Sequence, residues 1–276
     1  MGLPICTRLK AAGHSVQVLA RSAESKVKLE DAGLSTKSSI ADVCWEADIL
    51  FSSLSDDAAL IDVVSAKGGV ADSLAMSSTY IDVSTVSPEA SCKVAQRLQQ
   101  AGIAYLRSPV SGSTVMAEAG TLTAIVSGPY SIFEKLQPVF AQFARKTSYV
   151  GDTEEARTMK LVLNSIVAAT SALLAEALAF GARGGLNITT MLNVVNQSVI
   201  ASPLIAYKTD MMVNGDYNPA ATLSMLQKDV DLFLKTGAAE KIEMPLSSVV
   251  RHIYQEASAR GLGEKDFFVL VQDALK

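Results

Sequence analysis

Hydrophobic and polar positions follow two different rules along this chain. In the first half, short runs rich in β-branched and aromatic residues alternate with helical patterns. Residues 15–20 (SVQVLA), 48–53 (DILFSS), 79–83 (TYIDV), 104–107 (AYLR), 121–127 (TLTAIVS) and 147–150 (TSYV) read as strands. Helical patterns such as 88–100 and 131–143 lie between most of them. That alternation predicts βα units on a mainly parallel sheet. From Thr153 onward no strand pattern remains, and apolar residues recur at helical spacing over roughly 154–183, 189–197, 223–236, 245–260 and 265–275. Gly184-Gly185 and Gly261 read as helix stops. The expectation is an α/β domain over residues 1–152 and an all-helical domain over 153–276, with no internal repeat in either.

Composition narrows the function classes. With 276 residues, 49% hydrophobic and 19% charged, the chain can bury ample core and is not a disordered segment. A net charge of −4 without a basic cluster argues against nucleic acid as a partner. Cys6, Cys44 and Cys92 form an odd, scattered set without a CxxC pair, which points to a reducing, cytoplasmic location. His14 and His252 stand far apart, so no histidine-based metal site is expected. Met1-Gly2 runs straight into an amphipathic segment, and no secretory signal is expected. The longest uncharged part of the apolar stretch at 159–180 ends at Glu176 and contains Asn164, Ser165, Thr170 and Ser171; it reads as too short and too polar to span a bilayer.

That same stretch holds the first chemical candidate. Lys160 lies in MKLVLNSIVAATSALLAEALAF, where the only other charge is Glu176. Asn164 follows one turn later on the same face. An ammonium beside an amide on an apolar helix is costly to bury unless something uses it. Burial lowers a lysine pKa toward the range where it both gives and takes a proton near neutrality. The alternative is a lysine that snorkels to solvent.

A second signal sits at the carboxyl ends of the strands, where open parallel sheets bind ligands. The run 48–53 leads into Leu54-Ser55-Asp56-Asp57, 79–83 into Ser84-Thr85, and 104–107 into Ser108-Pro109-Val110-Ser111-Gly112-Ser113. Small hydroxyl residues and glycine let a backbone approach a ligand and offer it donors. Any one such segment also makes an ordinary turn. Three at successive strand ends weigh more than one.

Taken in order, these pieces resemble the β-hydroxyacid dehydrogenase family, which includes 3-hydroxyisobutyrate dehydrogenase, tartronate semialdehyde reductase and glyoxylate/succinic semialdehyde reductase. Met1-Gly2-Leu3-Pro4, followed by Leu9-Lys10-Ala11-Ala12-Gly13-His14, is similar to the end of the family's glycine-rich loop and its first helix. Arg21-Ser22 follows the second strand, where the family recognises the adenosine ribose. Ser84-Thr85-Val86-Ser87-Pro88 is similar to the segment near the nicotinamide, and Pro109-Val110-Ser111-Gly112 to the substrate loop. Lys160 and Asn164 match the catalytic lysine and asparagine, and Lys228-Asp229 a late Lys-Asp pair.

The resemblance implies a Rossmann-type domain followed by an all-α domain, and an NAD(P)-dependent oxidoreductase. Its substrate would be a small 3-hydroxyacid or 2-hydroxyacid, or the matching semialdehyde or oxoacid. Lys160 would be the general acid/base and Asn164 a substrate-holding residue. Ser111, Gly112 and Ser113 would receive the substrate carboxylate. Gly2, Leu3, Pro4, Arg21, Ser22, Leu54, Ser55 and Thr85 would bind the cofactor. Lys228 would reach cofactor or substrate. An NAD site places a carboxylate after the second strand, whereas an arginine accommodates the 2′-phosphate of NADP. Ala20-Arg21-Ser22, with Lys26 following and no acid before Glu24, favours NADP over NAD. The apolar surplus of the helical half suggests a homodimer or homotetramer through that domain.

Three departures from the family carry expectations of their own. A Rossmann domain begins with a strand and G-x-G-x-x-G, and this sequence holds neither that strand nor the first two glycines. Start at an internal methionine of a longer protein is expected, and the two strands flanking the central one are expected to lose a partner. Arg107-Ser108 stands where the family commonly has an acid and alanine; Arg107 would alter substrate preference or point to solvent. Ser113 replaces a usual glycine. A non-catalytic scaffold on the same fold, and an imine reductase, whose relatives usually lack a lysine at position 160, are the competing readings.

Overall fold

A computed structural model describes residues 1–276, which divide into two units, Met1–Lys160 and Leu161–Lys276. The first unit opens with α1 (Gly2–Ala11), β1 (Gln17–Leu19), α2 (Ala23–Asp31), β2 (Ser35–Lys37), α3 (Ile40–Cys44) and β3 (Ile49–Ser52). It continues through α4 (Asp57–Ser65), α5 (Val70–Ser73), β4 (Thr79–Asp82), α6 (Pro88–Gln100), β5 (Ala104–Arg107) and β6 (Val110–Ser111). Then come α7 (Thr114–Ala119), β7 (Leu122–Ser127), α8 (Tyr130–Phe140), β8 (Ala144–Gly151) and the first turn of α9 (Glu155–Arg183). All six expected strands are present. Two more, β2 (STK) and β6 (VS), are too short and polar to show a period in the sequence.

Strands β3, β4 and β5 pair in parallel, with Ile49 opposite Thr79 and Thr79 opposite Ala104. β7 runs antiparallel to β5 and β6 and parallel to β8. β1 and β2 form a separate two-stranded parallel sheet. β1 therefore pairs only with β2, and β3 only with β4, as expected of a domain whose glycine-rich strand is not among these residues.

Period-two alternation assigns the layers. Tyr80 and Tyr105 pack to one side with Leu60, Val64, Val94 and Leu98. Ile81 and Leu106 pack to the other with Ile5, Leu9, Phe133 and Phe140. Helix α6 shows why its bounds were legible. Ser87 caps it by accepting from the Ala90 N–H, Pro88 occupies the first turn, and Ala90, Ser91, Val94 and Leu98 make a buried stripe.

The second unit holds the rest of α9 with α10 (Ile188–Gln197), α11 (Pro203–Asn214), α12 (Leu223–Ala239), α13 (Pro245–Ala257) and α14 (Val269–Ala274). Its core gathers Ala168, Ala172, Leu178, Leu192, Leu223, Val230, Tyr254 and Phe268. Helix α11 escaped the periodicity because a lysine takes a core position: its buried residues are Ile205, Lys208 and Met212. The Lys208 Nζ donates to Asp266 Oδ2 at 2.6 Å, with both side chains almost wholly inaccessible. Asp266 also accepts from the Phe268 and Ala220 backbone N–H groups. The turn it organises delays the last helix to Val269, later than the 265 expected.

The longest uncharged part of α9, which ends at Glu176, is expected to be too short and too polar to span a bilayer, whereas the helix as a whole, at 29 residues, meets the length and composition needed. Its buried stripe of Ala168, Ala172, Ala175 and Leu178 serves the core of the second unit, so packing accounts for part of its apolarity.

Candidate active site

Asp82, at the end of β4, is the centre of a buried polar network in the first unit. Its Oδ1 accepts from the hydroxyls of Ser52 and Ser84, at 2.5 and 2.6 Å. Its Oδ2 accepts from Arg157 Nη2, and neither side chain is accessible. Tyr80 donates to Ser52, and the Leu54 N–H donates to Ser84 Oγ at 2.7 Å. The ends of β3 and β4 are thereby locked together, and with them Leu54 and the segment running into Thr85, which is half-buried. Beyond it, Ser87 donates through its N–H and hydroxyl to the Asp57 carboxylate. Ser55 is exposed, and its hydroxyl donates to Asp56, the cap of α4.

Three connections anchor the first turn of α9, the helix that carries Lys160. Arg157 donates to Asp82, to Tyr105 Oη at 2.7 Å, to the Ser84 carbonyl at 2.8 Å and to Ser91 Oγ at 3.2 Å. Burial raises the Tyr105 phenol above its ordinary pKa, keeping it protonated. Ser127 Oγ donates to the Thr153 carbonyl and accepts from the Ala156 N–H. Arg107 donates to Glu154 through Nε and Nη2, and its guanidinium lies 4.3 Å from the centre of the Tyr105 ring. This corrects one of the two expectations for Arg107, that it points to solvent: it is 6% exposed and bound internally. Lys160 is half-buried, one turn beyond Arg157.

The residues expected at the nucleotide end lie in two places. Gly2, Leu3 and Pro4 are half-buried and form the first turn of α1 rather than a loop. Arg21 and Ser22 follow β1, and Ser22 caps α2 through a reciprocal pair of hydrogen bonds with Ser25. They line a pocket of about 480 Å³ with Lys26, Thr36, Lys37 and Asp42. Lys37 went unnoticed in the sequence because β2 did. Three cations against one carboxylate make this lining suited to a phosphate.

In the loop after β5, Ser111 ends β6 and Gly112 adopts φ +134°, a conformation L side chains rarely take. A Cβ there would lie 2.7 Å from Leu122 Cδ2 and push that side chain aside, which adds to the strain that the positive φ already imposes on any other residue. Ser113 caps the short helix α7, accepting from the Met116 N–H at 3.3 Å. That use of its oxygen explains a serine where the family has glycine.

In the second unit, Asn164, Asp229 and Lys228 are brought together. Asn164 Nδ2 donates to Asp229 Oδ2 at 2.6 Å, and Lys228 Nζ lies 2.8 Å from Oδ1 of the same carboxylate. A carboxylate only accepts, so the amide must present its nitrogen to Asp229, which fixes the direction of Oδ1. On the expectation that Asn164 holds the substrate, Asp229→Ala should raise the KM of that substrate by about tenfold while cofactor affinity stays within a few-fold, because the amide loses the charge-assisted bond that orients it. Steady-state kinetics with both substrates varied would show it; an unchanged KM would separate Asp229 from substrate handling. Lys228 also lines an open pocket of about 430 Å³ with Ser224, Gln227, Asp231 and Lys235.

Residues 1–151 match the family described as the NAD binding domain of 6-phosphogluconate dehydrogenase, and residues 155–273 match the NAD-binding domain of NADP-dependent 3-hydroxyisobutyrate dehydrogenase. The chain belongs to the β-hydroxyacid dehydrogenase family. Glyoxylate/succinic semialdehyde reductase 1 of Arabidopsis thaliana is 30% identical over 272 residues, covering 99% of this chain and 94% of that protein. The 2-(hydroxymethyl)glutarate dehydrogenase of Eubacterium barkeri is 32% identical over 231 residues, covering 83% and 77%. Among solved structures, 3-hydroxyisobutyrate dehydrogenase from Salmonella typhimurium superposes with a TM-score of 0.88 at 26% identity, over 99% of this chain and 95% of that one. As a β-hydroxyacid dehydrogenase the chain is an NAD(P)-dependent oxidoreductase of small hydroxyacids, with a Rossmann-type domain followed by a helical one. The scaffold and imine-reductase alternatives are not favoured by these matches.

Proposed function

We propose that this β-hydroxyacid dehydrogenase reduces a small semialdehyde or 2-oxoacid bearing a carboxylate, using NADPH, with Lys160 as general acid. The observation that carries the reading is the anchored turn of α9. It holds a half-buried lysine at a defined position at the end of a network that also holds Leu54 and Ser84. Reduction needs a proton at the carbonyl oxygen as negative charge develops there, and an ammonium supplies both the proton and the countercharge. In oxidation the same amine takes the hydroxyl proton.

The cofactor supplies or accepts hydride at its nicotinamide ring. Arg21, Ser22, Lys26 and Lys37 fit the 2′-phosphate end, because an NAD site would want a carboxylate where Arg21 stands. Gly2, Leu3, Pro4, Leu54, Ser55 and Thr85 would line the remainder. For the substrate, Ser111 offers a hydroxyl, Gly112 an unshielded backbone N–H, and Ser113 a second hydroxyl to the carboxylate. Asn164 and Lys228 would hold the substrate by hydrogen bonds.

Turnover with glyoxylate, succinic semialdehyde and tartronate semialdehyde, each with NADPH and NADH, tests the reading. Consumption of NADPH with at least one is expected, and inactivity toward every small aldehyde and oxoacid would overturn it. Arg21→Ala combined with Lys37→Ala should weaken NADPH binding by about 10- to 100-fold and NADH binding much less. Equal losses for both cofactors would remove the assignment of this pocket to the phosphate.

A homodimer or homotetramer through the helical unit is part of the proposal. Ile166, Leu173 and Phe180 recur every seven residues on α9 and are 58, 67 and 84% exposed. An apolar stripe of that kind fits a second copy of the chain. Light scattering that found only monomer would contradict it.

A further inference from the structure

We propose that Arg157 is a positioning residue for Lys160, acting through its buried pair with Asp82. The inference rests on the reading of Lys160 as the general acid. The Arg157 side chain is wholly inaccessible and bonds to four residues on three segments: Asp82 and Ser84 at the end of β4, Ser91 on α6 and Tyr105 on β5. A buried ion pair stabilises a fold little or not at all relative to an apolar pair of the same volume. Geometry is what such a group can contribute: a planar fork with several acceptors admits one orientation of the helix that carries it.

That helix is α9, and Lys160 follows Arg157 by three residues, on the neighbouring turn. The same Asp82 accepts from Ser84, whose hydroxyl receives the Leu54 N–H. One charge pair therefore holds in a single frame the proposed acid and two of the segments assigned to the cofactor. Glu154 with Arg107, and Ala156 with Ser127, stop the turn from pivoting about Arg157. A displacement of about 1 Å in a reacting group is enough to cost roughly 100-fold in rate.

The test compares Arg157→Met and Arg157→Lys with the unmodified chain. It reads kcat, aldehyde KM, NADPH affinity, the primary deuterium isotope effect on kcat, and the rate at which Lys160 is acetylated in the cofactor-free protein, by peptide mass mapping. Arg157→Met should lower kcat by about 30- to 100-fold with KM and NADPH affinity within about threefold. The isotope effect should grow as the chemical step becomes limiting, and Lys160 should be acetylated faster. Arg157→Lys keeps the bond to Asp82 and should recover part of each change. A variant that melts earlier but keeps kcat, isotope effect and Lys160 labelling would reduce Arg157 to a fold residue and overturn the proposal.

If Arg157→Met does not fold, Tyr105→Phe decides, because it removes one acceptor and leaves the ion pair. It should lower kcat several-fold and speed Lys160 labelling, and unchanged values would again overturn the proposal. Absence of turnover in the unmodified chain would count against Lys160 as the acid. Lys160 labelling in the variants would then still decide whether Arg157 positions it.

Discussion

Lys160→Ala should lower kcat by about three orders of magnitude and leave NADPH affinity within a few-fold. Positioned proton transfer contributes roughly 10²- to 10⁴-fold, and this ammonium is also asked to stabilise the developing alkoxide, which keeps the loss well above the lower end of that range. Cofactor binding should survive, because the pocket proposed for the phosphate, at Arg21, Lys26 and Lys37, is made around β1, α2 and β2 and takes nothing from α9. Binding titrations of NADPH beside single-turnover kinetics would make the comparison. Activity within a few-fold of the unmodified protein would leave Lys160 a half-buried lysine that snorkels, and the proton would have to come from elsewhere.

Lys208→Met should be the most destabilising single change in the helical unit. It removes the ammonium and leaves Asp266 charged and wholly inaccessible, with only the Ala220 and Phe268 N–H groups to hold it. Breaking a buried pair by deleting one partner costs about 3–5 kcal/mol, a large share of the stability of an ordinary domain. Adding Asp266→Asn should restore much of the loss. The amide keeps an acceptor for the turn before α14 and abolishes the buried charge. Calorimetry on the two single variants and the double would measure the coupling. Independent, additive losses would show that the two side chains do not stabilise each other.

Much of the architecture was legible locally. The runs at 79–83 and 104–107 became β4 and β5 because β-branched and aromatic residues there sit between turn-forming segments. The pattern at 88–100 became α6 because its cap, its first-turn proline and its apolar spacing agree. Helix arithmetic put Lys160 and Asn164 one turn apart on one apolar helix, and their proposed roles came from the family resemblance. Legibility stopped where an element was too short to show a period, as with β2 and β6, or where a charge occupied a core position, as in α11. Lys37 was lost with β2, and with it a third cation of the pocket proposed for the phosphate.

The charged groups of the site show the same division. Arg107 read as a surface or specificity residue, and its partner Glu154 stands 47 positions away. Asp82 and Arg157, which pair in the interior, stand 75 positions apart, and no local pattern joins them. The amino-acid order was sufficient for the type of most elements and for the place of the lysine on α9. Those follow from periodicity and capping, which act over a few residues. The folded arrangement settled which charges neutralise one another and which hydroxyls serve as caps. Such pairing requires distant segments to meet in a low-dielectric interior, where an unpaired charge is too costly to keep.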